Sequence, residues 1–408
     1  MSIKRLLTVL AGPKANYLPK NLITTEPTLI EGFENAADWT VANGAAAANT
    51  SEYLSGSQSL KITTNTGAVT CTATKDVTLD LSSSALNSDF RLYYFCHDLQ
   101  PTTQNNGIYI TLYSTTNLAR YYQVVVYPVH YGWNVFHMRL TDWTQVGVDT
   151  WANARVKIRL SVLAKAGQVS TISFDRFEAG CVAKPAVLIT FDDGGESIYN
   201  TAFGIMRPLG LVGTAYLITS TATMSDYMPL YMAGWDIASH SHNHTDFTTL
   251  TQAQIESELT TSKGVLDAAG YTKSSDHVAY PYGLGSADAD TLAAMTATGT
   301  KTGRNVTTLG NSICNLPNYE MRILPGLNIG DPSVSLATAK GYIDTIIARQ
   351  EMKVLIFHTL TTGTAGSTQW TVADFTELMA YIKANRVQSL TASEYYALHS
   401  GSVTVKHD

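Results

Sequence analysis

Two adjacent carboxylates close an apolar run in this chain. Ala186-Val187-Leu188-Ile189 leads directly into Thr190-Phe191-Asp192-Asp193-Gly194. An unpaired carboxylate is costly to bury, so a pair of them where a strand runs out suits a site in which one holds a metal and the other handles a proton. Imidazoles follow in Ser239-His240-Ser241-His242-Asn243-His244. His240 and His244, at i and i+4, share a face on a helical turn or converge from a loop. Two imidazoles and one carboxylate make a facial set for a divalent ion and leave positions open for water and substrate. His242, at i+2, points elsewhere. His358 follows a further hydrophobic run, and imidazole is the side chain best suited to proton transfer at physiological pH.

Such residues need a scaffold that brings strand ends together. From residue 186 onward strand-like runs alternate with helical stretches. Ala186–Phe191 and residues 213–218, 235–239, 278–280 and 354–357 read as strands. Thr251 with Gln254 forms a capping box, and Ile255, Leu259 and Leu266 continue the apolar side. Thr371 precedes Asp374, with Phe375, Leu378 and Ile382 on one face, and Thr391 with Glu394 makes another box. The alternation argues an α/β layout with its site at the strand C-terminal ends. Asp192, His240 and His358 each follow a predicted strand.

The front of the chain differs. Residues 28–180 carry short period-two segments separated by Gly, Asn, Ser and Thr, among them Ser59-Leu60-Lys61-Ile62-Thr63 and Ile108-Tyr109-Ile110-Thr111-Leu112-Tyr113. They read as antiparallel strands with one wet face, and a two-sheet sandwich is the expected product. Two domains also suit 408 residues. The expected division is an arm at residues 1–27, a β-sandwich at 28–180, a connector at 181–185 and the α/β part at 186–408. Tyr121, Tyr122, Tyr127, Tyr131 and Trp133 form an aromatic-rich stretch that serves either sandwich packing or stacking on sugar rings.

Composition narrows the function classes. Hydrophobic residues make up 45% of the chain and charged ones only 15%, and the net charge is −6 with no long Lys/Arg cluster. No nucleic-acid footprint is visible, and no apolar stretch is long enough for a membrane span. Cys71, Cys96, Cys181 and Cys314 include no CxxC pair, so no cysteine zinc knuckle is expected. Cys71 and Cys96 either bridge neighbouring strands or stay as isolated buried thiols. The apolar part of the N-terminal dozen residues is short and meets Pro13-Lys14 early, which reads as an arm rather than a full secretory leader.

The C-terminal half resembles the polysaccharide deacetylase family of carbohydrate esterases, the NodB-homology fold. Thr190-Phe191-Asp192-Asp193-Gly194 matches the family's first motif, His240-Ser241-His242-Asn243-His244 the second, Tyr280-Pro281-Tyr282-Gly283 the third and Leu355-Ile356-Phe357-His358 the last. The resemblance implies a distorted, incomplete (β/α) barrel and hydrolysis of N-acetyl groups on an amino-sugar polymer such as capsule, exopolysaccharide or cell-wall glycan. It implies Asp193, His240 and His244 as ligands of one divalent metal, zinc with cobalt or nickel as alternatives. It also implies Asp192 as general base, the backbone N–H of Tyr282 at the oxyanion and His358 as general acid. O-acetyl ester cleavage and a non-catalytic binding or assembly role are the rival functions. The third motif departs from the family, because the arginine expected two residues before the proline is Ala279. Arg322 is the expected substitute to steady Asp192. The family's fourth motif is not recognisable; Asp331 is the nearest acid.

The front domain resembles jelly-roll carbohydrate-binding modules through Glu31-Gly32-Phe33-Glu34, Asp38-Trp39, Gly132-Trp133-Asn134 and Ile172-Ser173-Phe174-Asp175. That resemblance implies a structural calcium with Glu34 and Asp175 as ligands. An acetylated polysaccharide is the expected partner, and the expected location is extracellular or on a virus particle. In the latter case the arm would attach the enzyme to a phage tail or support a homo-oligomer.

Overall fold

In the computed structural model, residues 23–402 are described except 26, 67–69, 84–88, 99–106, 127–131, 165–166, 181, 287 and 308–320. Most of the arm, together with Tyr127, Tyr131, Cys181 and Cys314, lies outside the described residues, and so does the basis of the tail-attachment and oligomer expectations. The chain divides into two compact units. One is built on residues 23–183, the other on 184–314 and 321–403.

The first unit is a sandwich of two six-stranded antiparallel sheets among the described residues. One sheet runs Gly132–Arg139, Asp89–Cys96, Thr171–Ala179, Ser59–Thr64, Gly44–Asn49, with Thr28–Glu31 also paired to Thr171–Ala179. The other runs Thr144–Val146, Tyr121–Val126, Ile108–Tyr113, Arg155–Leu163, Thr70–Leu79, Thr40–Ala42. Period-two alternation decides the faces. Leu60, Ile62, Ile108, Ile110, Leu112, Ile158, Leu160 and Val162 point into the core with Phe33, Phe90 and Phe174. Cys71 and Cys96 are free buried thiols in different sheets. Of the described part of the aromatic stretch, Tyr122 packs into the core, stacked on Trp151 with centroids 4.2 Å apart, whereas Trp133, half-buried outside the core, meets Phe95 edge-on at 5.5 Å.

The expected calcium ligands are spent on protein donors. Glu34 accepts from the N–H and the hydroxyl of Ser57, both at 3.0 Å. Asp175, fully buried, accepts from Leu54 N–H and from the N–H and hydroxyl of Ser55. Among the described residues, the grouping of metal-capable side chains lies in the other unit. No calcium site is assigned to Glu34 and Asp175.

The second unit is a barrel of parallel strands: β1 (Ala186–Phe191), β2 (Thr214–Leu217), β3 (Asp236–Ser239), β4 (His277–Ala279), β5 (Thr302–Thr307), β6 (Leu324–Asn328), β7 (Met352–Phe357) and β8 (Gln388–Leu390). Each of β1 to β7 pairs with the next, and β7 pairs back to β1, so seven strands form a closed ring. β8 enters beside β1 and explains the distortion. The lower half of β1, Ala186 to Leu188, pairs with β8, whereas Thr190 and Phe191 pair with β2. Closure is therefore complete at the strand C-terminal ends and interrupted at the N-terminal ends. Val187, Ile189 and Phe191 face outward into the core shared with the helices. Alternation turns Leu188, Thr190 and Asp192 to the barrel interior. Three strands, β5, β6 and β8, escape the sequence pattern because they are short or carry polar and glycine residues.

Candidate metal and catalytic centre

Asp192 leaves β1 already fixed, its N–H donating to Phe357 O on β7 at 2.9 Å. Its side chain is 3% exposed and meets a single guanidinium, with Arg304 Nη2 2.5 Å from both carboxylate oxygens. Arg304 rises from the middle of β5 and is fully buried, its guanidinium 5.5 Å from the Tyr216 ring centre. Burial alone would raise the Asp192 pKa. Arg304, followed by His240 and His358, outweighs it and holds the carboxyl below its ordinary range. Asp192 is thus a buried carboxylate that stays ionised.

Asp193 turns the other way, with φ at 67° and its side chain about half exposed. Across from it, the loop after β3 presents two histidines. His240 is buried, and its Nδ1 donates to Ala279 O at 2.9 Å, which fixes the tautomer and leaves the Nε2 lone pair facing the site. Burial pushes its pKa down, favouring the neutral ring that a ligand must be. His244 reaches the same point from a loop rather than a helical turn. Its φ is 60°, its N–H donates to Ser241 Oγ at 2.8 Å, and its Nε2 stands 3.2 Å from that of His240. Asp193 Oδ1 is 3.5 and 3.7 Å from these two nitrogens. A four-coordinate divalent ion with bonds of about 2.0–2.2 Å separates its ligands by about 3.3–3.5 Å, so the three donor atoms are already spaced for one ion. Together they form a candidate centre for one divalent metal.

The loop is held by residues outside that triad. Glu258, on the helix Gln252–Ala268, accepts from the N–H groups of His242 and Asn243 at 3.0 and 2.8 Å and from the Asn243 amide at 2.7 Å. Thr219 Oγ1 takes up His242 Nδ1 at 3.0 Å, so the middle histidine points away from the centre. Of ten non-glycine residues with positive φ among those described, four are Asp193, Ser241, His244 and Tyr282. Each such conformation costs on the order of 1–3 kcal/mol, and strain of this kind gathers where a site demands it.

Tyr282 sits in the turn after β4 with its ring 4.5 Å from that of His244 and 63% exposed. Gly283 follows at φ 71°, and a Cβ there would lie 2.6 Å from Val306, so glycine is required. His358 closes the far side, its Nε2 3.9 Å from Asp192 Oδ2 and its buried Nδ1 without a hydrogen-bond partner among the described residues. Asp331 gives its carboxylate to Ser333 N–H at 2.8 Å.

One expected residue falls elsewhere. Arg322 donates through Nη1 to Thr296 Oγ1 at 2.8 Å, and its carbonyl accepts from Tyr280 OH; the position against Asp192 belongs to Arg304. The reason lies in register. Ala279 on β4 is paired with Arg304 on β5, and in-register neighbours of parallel strands project to the same face. The guanidinium missing at Ala279 comes from the adjacent strand. Only that alignment marks Arg304. Glu258 has no sequence cue beyond lying on a helix.

Residues 179–303 match the family model described as polysaccharide deacetylase. The chain carries a polysaccharide deacetylase domain. The matched segment holds Asp192, Asp193, His240, His244 and Tyr282 and ends one residue before Arg304. The poly-β-1,6-N-acetyl-D-glucosamine N-deacetylase of Staphylococcus epidermidis is 29% identical over 127 residues, 26% of this chain and 44% of that protein. Its namesake from Staphylococcus aureus is 27% identical over 125 residues, 26% of this chain and 43% of that protein. The chain therefore spans less than half the length of these curated relatives. Among solved structures, a family 4 carbohydrate esterase from Streptomyces lividans is 19% identical, with a TM-score of 0.36, over 50% of this chain and 91% of that one.

Proposed function

We propose that the barrel is a metal-dependent hydrolase that removes N-acetyl groups from an amino-sugar polysaccharide outside the cell, such as capsule, exopolysaccharide or a cell-wall glycan. One observation carries this reading: the ionised, Arg304-held carboxylate of Asp192 lies beside the Asp193–His240–His244 triad. A metal held by that triad would lower the pKa of water and polarise the acetyl carbonyl. Zinc suits two imidazoles and a carboxylate, and cobalt and nickel fit the same donors.

In this proposal Asp192 is the general base that collects the water's proton. Arg304 positions it and keeps it ionised. The backbone N–H of Tyr282 stabilises the negative charge on the acetyl oxygen. His358, across Asp192 from the triad, delivers a proton to the departing amine. An amine leaves poorly unless protonated, which makes an imidazole at this point useful. The same residues would cleave an O-acetyl ester, whose leaving group is easier.

For the front domain we propose a jelly-roll sandwich of carbohydrate-binding type that holds the polymer. Its two antiparallel sheets support this reading.

Acetate release from a panel of N- and O-acetylated glycans, measured with and without added zinc, cobalt or nickel, tests the activity. Metal-dependent release from N-acetylated polymer is expected. Binding to glycans without release under any metal would make the chain a non-catalytic carbohydrate-binding protein.

A further inference from the structure

The second sheet of the sandwich, the one containing Arg155–Leu163, bears on its outer face an open cavity of about 500 Å³. Three cations line it, Lys75, Lys157 and Arg159, against two acids, Asp38 and Asp76. Their pairing is uneven. Lys75 Nζ lies 2.9 Å from Glu31 and 3.1 Å from Asp38, and Lys157 Nζ lies 2.5 Å from Asp76. Arg159 has no carboxylate partner among the described residues. Its guanidinium carbon sits 5.0 Å from the centre of the Tyr113 ring, and its Nε is buried without a hydrogen bond. The register explains the imbalance. Arg159 is flanked by Thr74 on one side and Thr111 on the other, and neither hydroxyl side chain can neutralise it. In a chain of net charge −6, a positioned and unmatched guanidinium in a cavity calls for an anion.

The remaining lining says what else the anion carries. Lys157 with Asp76 sets a donor beside an acceptor on the face of Arg159, whereas Lys75, level with the core residue Ile158, turns its ammonium to Glu31 and Asp38. Neighbouring hydroxyls on a sugar ring need a donor beside an acceptor, since each both donates and accepts. Thr40 and Thr74 add further hydroxyls. A bare inorganic anion would use Arg159 and leave the Lys157–Asp76 pair idle. A neutral sugar would use that pair and leave Arg159 unmatched. We propose that this cavity binds a carboxylated sugar ring, a uronate unit of a glycan, with Arg159 taking the carboxylate as a fork and the Lys157–Asp76 pair taking ring hydroxyls.

Titration calorimetry of the full chain tests this with two probes, hyaluronan hexasaccharide, which alternates glucuronate with N-acetylglucosamine, and chitohexaose, which lacks the carboxylate. Hyaluronan is expected to bind about ten-fold more tightly at low salt, the effect of one charge-assisted contact. The preference is expected to vanish in Arg159→Gln, to survive in part in Arg159→Lys, and to shrink at high salt. Equal affinity for the two oligosaccharides, or an unchanged preference in Arg159→Gln with an unchanged thermal melt, overturns the proposal. Inorganic phosphate binding as tightly as hyaluronan overturns it too, since the cavity would then be a small-anion site. The readout is the dependence of binding on Arg159 and holds whether or not the barrel deacetylates.

Discussion

Among the described residues, each unit buries an arginine against an aspartate, and the two pairs are finished differently. In the sandwich, Asp149 accepts from Arg155 Nη1 at 2.6 Å, Ser114 Oγ at 2.9 Å, and Asn153 Nδ2 and Thr150 N–H at 2.8 Å each. Arg155 lies against the stacked Tyr122 and Trp151 rings, 5.1 Å from each centre. Every lone pair of that carboxylate is spent. In the barrel, the side-chain hydrogen bonds to Asp192 among the described residues come from Arg304, and Oδ2 faces His240 and His358 at 3.9 Å, beyond bonding range. The sealed pair can only hold structure together. The open pair keeps an ionised oxygen ready for a partner that arrives from outside.

That contrast breaks most sharply at the two aspartates. Asp192→Asn is expected to lower acetate release by on the order of 10²–10⁴-fold while metal content and melting temperature stay near wild type. An equal loss of stability would make Asp192 structural, like Asp149. Ligand changes come next. Asp193→Asn and His240→Ala are expected to lose metal and activity together, read by elemental analysis of the purified variants, and full occupancy in either would remove that residue from the ion.

Asp149→Ala tests the other side. Stranding Arg155 in the core should cost about 3–5 kcal/mol in denaturant unfolding of the sandwich, with turnover of the folded protein unchanged. Arg304→Met should reduce kcat by about 10–100-fold, the usual cost of losing an orienting partner, whereas Arg322→Met should leave it within about two-fold. Similar effects from both would return Arg322 to the site.

The smallest effect is acid sensitivity of the sealed pair. Burial would raise the Asp149 pKa, but Asn153, Ser114 and Arg155 outweigh it, so the native value is depressed. Its stabilising contribution is complete above the unfolded carboxyl value of about 3.9. It is lost as pH falls from there through the native value. Unfolding of the wild type should therefore steepen below that pH, and unfolding of Asp149→Asn should not.

The sequence makes plain whatever depends on neighbouring positions. The Asp pair, the two histidines and His358 stand beside apolar runs, and all five arrive at the C-terminal ends of β1, β3 and β7. The capping boxes at Thr251 and Thr391 form as read, with Gln254 and Glu394 turned back to the cap N–H groups. What depends on alignment between strands is hidden. Arg304 serves Asp192 because β4 and β5 run side by side with Ala279 and Arg304 level, and no spacing along the chain encodes that. His240 and His244 meet through a loop with left-handed residues, although the i and i+4 spacing is equally a helical one. Calcium ligation by Glu34 and Asp175 is implied only by the resemblance of the front domain to carbohydrate-binding modules. N–H donors of Leu54, Ser55 and Ser57, far from both acids in sequence, take the carboxylates instead.

The strand pairing of the barrel also dictates an order of assembly. β1 carries both aspartates out of its end, yet one edge of it stays unpaired until β7 and then β8, some 160–200 residues later in the chain, come off the ribosome. Contacts of such long sequence separation are slow to form and leave strand edges exposed meanwhile. The sandwich also waits, since Thr28–Glu31 and Ser59–Thr64 meet Thr171–Ala179 only when that late strand is made, but its first sheet is complete before β1 is made. During synthesis the front unit can therefore be finished while Asp192 and Asp193, emerging early, remain on an open edge, and the centre comes together only when the last strands close the ring.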